Sequence, residues 1–310
     1  MQNLTYPNTP QASALAVTTG FFDGVHRGHR AVLSKLREVA KLYNVPSCVV
    51  TFWPHPRVVL GKDEGLLLLN EPDEKQMLLQ QLGIDYLVTI PFTTDFAKLT
   101  PNDFFTEYLH NNLITKYLIV GYDHRVGHGA SGAWEQMQEL SKLLNISPYR
   151  VDASIESGRE ISSTAIRKAL QSGQIAQANA MLGYSYMLSG AVIRGKRLGR
   201  KIGYPTANIS TENKYKLIPQ NGIYAVWVTL DNQQYQGMMS IGTNPTIGSS
   251  NPKSIEVNIL DFDQEIYGKK ITVELVDRIR DEKKFNSLEA LKAAIDADKV
   301  AITKRLQNIS

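Results

Sequence analysis

Ala14-Leu-Ala-Val-Thr-Thr19 runs into Gly20-Phe21-Phe22-Asp23-Gly24-Val25-His26-Arg27-Gly28-His29-Arg30, and this stretch decides the fold. An apolar, β-rich run ends in a glycine turn. It opens onto a helical pattern with Val32, Leu33, Leu36, Val39 and Ala40 on one side. A strand that turns through glycine into a helix makes an anion site, because the N–H groups of the first helical turn face the ligand. His26 and His29 lie three residues apart, so both imidazoles project to the same side of that turn. Two histidines at a helix N-terminus suit a phosphorus centre that gains charge during substitution. The competing readings are surface histidines or a metal site. Zinc wants three or four ligands, and neither Cys48 nor a nearby histidine-rich segment supplies them by spacing.

Outward from this turn, β-rich runs alternate with amphipathic segments up to about residue 183. Strands are expected at Ala14–Thr19, Ser47–Phe52, Tyr86–Pro91, Tyr117–Gly121 and Tyr149–Ala153, with helices near 29–43, 73–82, 101–111, 133–144 and 163–171. Such alternation implies βαβ units and a mostly parallel sheet, with ligands beyond the carboxyl ends of the strands. The chemistry-bearing residues collect there: Phe21–His29, Trp53–Arg57 and Tyr122–Arg125. No Gly-x-Gly-x-x-Gly follows the first strand, which argues against a dinucleotide site. After Gly183 the β-runs crowd together: Tyr186–Arg194, Ile223–Leu230, Tyr235–Ile241, Ser254–Leu260 and Lys270–Leu275. Only Ser287–Leu306 reads as helix there, with Ser287 as its N-cap. The expectation is an antiparallel barrel closed by one helix, with the boundary between 1–183 and 184–310.

The bulk properties agree with two soluble domains: 310 residues, 43% hydrophobic, 21% charged and a net charge of +4. From Tyr184 onward there are 18 Lys+Arg against 13 Asp+Glu, or +5; the remainder is 16 against 17, or −1. Cys48 is the only cysteine, so no internal disulfide is expected. The first basic residue is Arg27 and no apolar run reaches membrane-spanning length, so a cytoplasmic protein without signal peptide or membrane span is expected.

Two further segments carry chemistry. Ile161-Ser162-Ser163-Thr164-Ala165-Ile166-Arg167 begins a helix with hydroxyls and an arginine one turn on, which serves either as a phosphate site or as an ordinary N-cap with a solvated arginine. Five of the eight residues from Arg194 to Lys201 are basic. The interleaved Gly195, Gly199 and Gly203, without aromatics, fit a compact polyphosphate loop better than a nucleic-acid surface or a solvated face.

Taken together, Gly20 to His29, Thr51-Phe-Trp-Pro-His55-Pro-Arg57 and Ile161 to Arg167 resemble the adenylyltransferase module of the bacterial bifunctional FAD synthetase family, within the nucleotidylyltransferase superfamily. Gly195-Lys-Arg-Leu-Gly-Arg-Lys-Ile-Gly-Tyr-Pro-Thr-Ala-Asn208, Asn221-Gly-Ile-Tyr224, Gly242-Thr-Asn244, Ile255-Glu256 and Ile266-Tyr-Gly268 resemble its riboflavin kinase module. The resemblance covers nearly the whole chain. It implies a Rossmann-like α/β domain with a parallel sheet (1–183, FMN adenylyltransferase). A mostly antiparallel β-barrel with a C-terminal helix follows (184–310, riboflavin kinase).

By this resemblance, His26 and His29 stabilise charge developing on the ATP α-phosphoryl group as the FMN phosphate attacks. Ser163, Thr164 and Arg167 hold the departing pyrophosphate. Gly20, Phe21, Asp23, Gly28 and His55 line the same nucleotide pocket, with Asp123 near the adenosine or flavin end. The family commonly has Phe where His124 and Val126 stand, and an arginine in the stretch 129–131. A riboflavin kinase with a weakened adenylyltransferase module is therefore the alternative. In the kinase module, Gly195, Lys196, Arg197, Gly199, Lys201 and Gly203 form the phosphate cradle. Thr206 and Asn208 offer neutral oxygens to Mg²⁺, and Glu256 is the general base for the riboflavin 5′-hydroxyl. This loop is not a Gly-x-x-x-x-Gly-Lys-[Ser/Thr] P-loop. ATP is co-substrate, riboflavin, FMN and FAD are the ligands, and neither nucleic acid nor membrane is a partner. The expected state is a monomer or weak homo-oligomer, and an RNA-binding protein using the 194–201 loop is the rival of another class.

Overall fold

Strand β2 (Leu15–Thr19) is buried at every position, as a run apolar on both sides requires of a strand covered on both faces. It lies inside a six-stranded sheet of order β1-β4-β3-β2-β5-β6, with every pairing parallel. The partners are β1 (Gln2–Thr5), β3 (Ser47–Trp53), β4 (Tyr86–Pro91), β5 (Thr115–Gly121) and β6 (Ser147–Val151). The chain steps from β2 to β3 on one side and reaches β5 on the other, so the order reverses at β2. A crevice therefore opens beyond its carboxyl end, where the Gly20–His29 turn emerges. Helix α1 (Arg27–Leu42) buries Val32, Leu33, Leu36, Val39 and Ala40, the five residues whose spacing predicted it. Short α2 (Pro56–Val59) follows β3, α3 (Pro72–Gln81) precedes β4, and α4 (Pro101–Asp103) continues as a π-helical stretch through Asn112. Helix α5 (Trp134–Leu143) leads into β6. The core includes Leu15, Val17, Val50, Phe105, Leu118 and Cys48. Burial pushes the Cys48 thiol far up and leaves it inert.

The computed structural model describes residues 1–122, 134–152, 155–156, 159–195, 199, 202–243 and 253–308. Short β7 (Ile155–Glu156) and β8 (Arg159–Glu160) pair with each other. Helices α6 (Ser163–Gln171) and α7 (Ile175–Leu182) follow. The rest is a closed barrel of order β10-β13-β12-β11-β14-β9, all its pairs antiparallel. Its strands are β9 (Tyr186–Ile193), β10 (Ala207–Ser210), β11 (Gly222–Leu230), β12 (Gln233–Thr243), β13 (Lys253–Ile259) and β14 (Lys270–Arg280). Helix α8 (Leu288–Gln307) is capped by Ser287, whose side chain accepts the Ala290 N–H, and it buries Ile302 and Leu306 with Ala225 and Val276. Arg280 holds α8 through a two-pronged pair with buried Asp298, at 2.7–3.1 Å.

Several elements differ from the expectation, among them the short helix α2 and the β7–β8 pair, which it did not contain. Strand β1 and helix α7 have no counterpart in it, and β10 lies inside the glycine-rich motif. The grouping of residues also differs from the 183/184 division. One compact unit is Met1–Leu66 with Pro72–Ser162; the other is Leu67–Glu71 with Ser163–Ser310. Within the second unit Leu68 bridges Lys216 in parallel, and the Leu68 and Leu217 N–H groups donate outward and back at 2.7 and 2.8 Å. Lys216 is buried, donates to Leu69 O at 2.8 Å and lies 4.6 Å over the Tyr186 ring. Asn179 of α7 ties the helix to the barrel, donating to Leu275 O and accepting the Tyr186 N–H, both at 2.8 Å.

A fragment beginning at Ser163 should therefore be more stable than one beginning at Tyr184. The shorter piece loses the fully buried Ile175, Ala178 and Leu182. Burying two such large aliphatic side chains contributes about 3–6 kcal/mol. Urea midpoints compare the two, and equal midpoints would show that α7 is not part of the barrel's core.

Two candidate phosphate-transfer sites

The first site grows from the turn after β2. Gly20 N donates to Val50 O at 3.0 Å and so prolongs the strand pairing by one residue. The chain then reverses through Phe22, Gly24 and Val25, all at positive φ. Positive φ is rare for a β-branched residue such as Val25, and burial of Phe22 and Val25 holds the turn in place. The reversal sets His26 as the N-cap of α1, where its Nδ1 accepts the His29 N–H at 3.3 Å. One of the first-turn N–H groups is therefore capped by a histidine rather than left to a ligand, which refines the expected anion site.

The two imidazoles do project together, stacked with centroids 3.7 Å apart and planes 15° apart. Gly28 permits this fold-back, since a Cβ there would lie 3.2 Å from the His26 ring. The same position is 3.7 Å from the Ile161 carbonyl, so the chain leading to Ser162 passes beside the turn. Phe22 packs edge-on against His29, and Phe21 lies 4.7 Å from the His55 ring. His55 caps α2, its Nδ1 accepting the Arg57 N–H at 3.1 Å. With Nδ1 accepting, neutral His26 and His55 each carry their proton on Nε2. Asp23 is buried in the same turn.

Burial, then the neighbouring His26, then Lys75 hold the His29 pKa well below its usual range. Lys75 of α3 was not singled out in the sequence. A lysine after Asp73 and Glu74 reads there as a solvated helix start. Its Nζ instead turns inward, 3.4 Å from the hydroxyl of buried Thr51. Burial pushes its pKa down to about 8, against the opposing pull of Asp23.

Ser163, Thr164 and Arg167 begin α6 and belong to the second unit. Arg167 Nε donates to Leu67 O at 2.7 Å, which anchors the side chain to the 67–71 segment. Asp123, with the family departures at 124–131, lies outside the described residues.

The second site assembles on the barrel. Asn208 of β10 stands directly opposite Glu256 of β13, and Thr206 is two residues before it on the same side. Thr206 Oγ1 donates to Glu256 Oε2 at 3.0 Å. Gly195 lies over this group: a Cβ there would fall 2.2–2.8 Å from the Asn208 amide. At Gly199 a Cβ would strike the Tyr204 carbonyl at 2.1 Å, and Gly199 O accepts from Ile202 N and Tyr204 N at 3.1 and 2.9 Å. Gly203 takes φ +87°, which glycine alone adopts cheaply. Lys196, Arg197 and Lys201 lie outside the described residues, as does Asn244.

Two contributors here were not read from sequence. Asn258 is buried and donates to Pro205 O at 2.7 Å, fixing the chain just before Thr206. Tyr204 donates its hydroxyl to Asp296 of α8. A polar residue two places from Glu256 in an apolar strand was the available signal for Asn258. Thr206 also lines a cavity of about 210 Å³ walled by Val192, Val257, Phe262, Ile266 and Tyr267. Among the described residues no group of three His, Cys, Asp or Glu forms a metal cluster. The neutral oxygens of Thr206 and Asn208 beside a carboxylate suit a hard cation that keeps waters and phosphate oxygens as its other ligands.

A family model described as FAD synthetase matches residues 8–165, and one described as riboflavin kinase matches 182–306. The chain is 35% identical to the bifunctional riboflavin kinase/FMN adenylyltransferase of Bacillus subtilis over 99% of this chain and 98% of that one. It is 38% identical to the protein of that name from Escherichia coli K12, over 92% and 90%. A crystal structure described as a macrolide-efflux protein from Streptococcus pneumoniae superposes with a TM-score of 0.86. It is 30% identical and covers 97% of this chain and 99% of that one.

Proposed function

The chain belongs to the bifunctional riboflavin kinase/FMN adenylyltransferase family, and from that premise we propose which residues perform each transfer. The protein phosphorylates riboflavin with ATP to FMN, then joins FMN to the adenylyl group of a second ATP, giving FAD and pyrophosphate. Efflux is not carried over from the structural neighbour, because no helix among the described residues is long and apolar enough to cross a membrane.

In the adenylyl transfer, an FMN phosphate oxygen attacks the α-phosphorus of ATP, and the bond to the β-phosphate bridging oxygen breaks. His26 and His29 donate through Nε2 to the α-phosphoryl oxygens as negative charge grows there. The paired rings are the observation that carries this assignment: one face presents two preorganised donors beyond the carboxyl end of β2. Ser163, Thr164 and Arg167 receive the pyrophosphate, while Gly20, Phe21, Asp23, Gly28, His55 and Asp123 shape the pocket. Module 1–183 performs this step and 184–310 the kinase step.

In the kinase step Glu256 accepts the proton of the riboflavin 5′-hydroxyl as its oxygen attacks the γ-phosphorus, and ADP departs. The cradle of Gly195, Lys196, Arg197, Gly199, Lys201 and Gly203 neutralises the phosphates. Thr206 and Asn208 would hold Mg²⁺, which supplies charge neutralisation on the phosphate oxygens when bound. We place the enzyme in the cytoplasm as a monomer or weak homo-oligomer, with small molecules rather than nucleic acid as partners.

One incubation tests the whole reading: purified protein with riboflavin, ATP and Mg²⁺, resolved for FMN and FAD. Both products are expected. FMN alone would favour the weakened adenylyltransferase, and neither product would overturn the assignment.

A further inference from the structure

We propose that Asn258 is a positioning residue for riboflavin phosphorylation: its side-chain amide holds the Pro205 carbonyl so that Thr206 presents its hydroxyl oxygen to the cation of the kinase step. The inference rests on the reading of Thr206 and Asn208 as metal ligands.

Asparagine is an unfavourable choice inside a barrel strand. Along β13 the apolar Ile255, Val257 and Ile259 share one face and are buried, and Glu256 and Asn258 share the other. Asn258 is nonetheless only 6% exposed, so its amide needs a partner to offset the loss of water. That partner is the Pro205 carbonyl, which accepts from Nδ2 at 2.7 Å. The donor projects from a fixed backbone, since Asn258 stands in register with Met238 of β12.

The register shows why a side chain is used here. Strand β10 meets β13 at Asn208 opposite Glu256 and Ala207 opposite Val257, and one further step would set Thr206 opposite Asn258. The strand begins at Ala207 instead. Pro205 has no N–H with which to extend a ladder. The Asn258 amide takes over where backbone pairing ends, and it grips the residue immediately before Thr206.

Three consecutive residues are thereby held by three different side chains. Tyr204 gives its hydroxyl proton to Asp296 of α8, Pro205 is held by Asn258, and Thr206 donates to Glu256 at 3.0 Å. The Tyr204 contact is exposed, so the Asn258 bond is the more protected anchor of the backbone beside Thr206. Because the Thr206 hydroxyl spends its proton on Glu256, its lone pairs remain for a cation.

The test combines steady-state kinetics of FMN formation by the full-length protein with amide exchange on the same protein free of ligand. Asn258→Leu keeps the approximate size of the side chain and removes the donor. A partner that orients a metal ligand typically sets roughly 10- to 100-fold in metal affinity, so KM for Mg–ATP should rise about tenfold or more. KM for riboflavin should stay near its original value. Without ligand, exchange over residues 203–208 should quicken while α8 and β14 keep their protection. In a Thr206→Ala background the same substitution should add little further to KM, because Asn258 acts through Thr206. An unchanged KM for Mg–ATP in Asn258→Leu would overturn the proposal, as would unchanged exchange over 203–208. A full additional rise in the Thr206→Ala background would overturn it too, since general loosening of the barrel gives that result. If Asn258→Leu does not fold, Asn258→Ser keeps a polar group one bond too short to reach Pro205 and carries the same readouts. Thr206→Ala that makes FMN with an unaltered KM for Mg–ATP would overturn the underlying metal reading. A raised KM in Thr206→Ala beside an unaltered one in Asn258→Leu overturns only the role of Asn258.

Discussion

The variant His29→Ala, supplied with riboflavin and ATP, should accumulate FMN and form little FAD. Its backbone N–H remains, so the cap onto His26 Nδ1 survives and α1 keeps its start. On the proposed role of His29, what disappears is one donor aimed at charge that develops during adenylyl transfer, together with the ring against which His26 stacks. Loss of a single such donor costs on the order of 2.7–4 kcal/mol, or roughly 100- to 1,000-fold in rate. Because the contact strengthens in the transition state, kcat should fall more than KM rises. Steady-state kinetics with supplied FMN measure this, and riboflavin phosphorylation serves as the internal control. FAD formation at a near-normal rate would mean that His29 is structural. Loss of both activities would point to damaged folding.

Glu256→Gln should have the converse effect. The amide keeps the size of the side chain and can still accept the Thr206 hydroxyl, which now donates to Oε2 at 3.0 Å. It cannot take a proton from the riboflavin hydroxyl. A positioned general base contributes roughly 100- to 10,000-fold, so FMN formation should fall within that range. Adenylylation of supplied FMN should persist, since Glu256 lies in the barrel unit and the paired histidines in the other. Product analysis from riboflavin and from FMN separates the two steps. A loss under tenfold in FMN formation would remove Glu256 as the base and leave it as a neighbour of the metal site.

Locally encoded features were legible. The turn after β2 could be read because the glycines, the spacing of His26 and His29 and the apolar pattern of α1 lie within a few residues, whereas the His26 cap and the positive φ at Phe22 and Val25 emerged only in the fold. The barrel's longer strands show as β-rich runs between turn residues, and Ser287 announces α8 three residues before the N–H it caps. Strand β10 was missed because its glycine-rich surroundings read as loop. Only pairing with β9 and β13 makes those residues a strand. Helix α7 was missed because its Ile175–Leu182 segment is short and its burial is against the barrel.

The amino-acid order by itself determined the two transfer motifs, the parallel and antiparallel halves, and which residue types each chemistry uses, because periodicity and turn chemistry are short-range. Tertiary structure alone decided the juxtapositions. Thr206 and Glu256 are 50 positions apart and meet only through the register of β10 on β13. Leu67–Glu71 joins the barrel unit because its backbone finds partners at Tyr215 and Leu217. Lys75 departs from an ordinary solvated helix residue because its Nζ meets the hydroxyl of Thr51 on another element. Charge state and contact at these positions depend on which surfaces close over them, and that is a property of long-range packing.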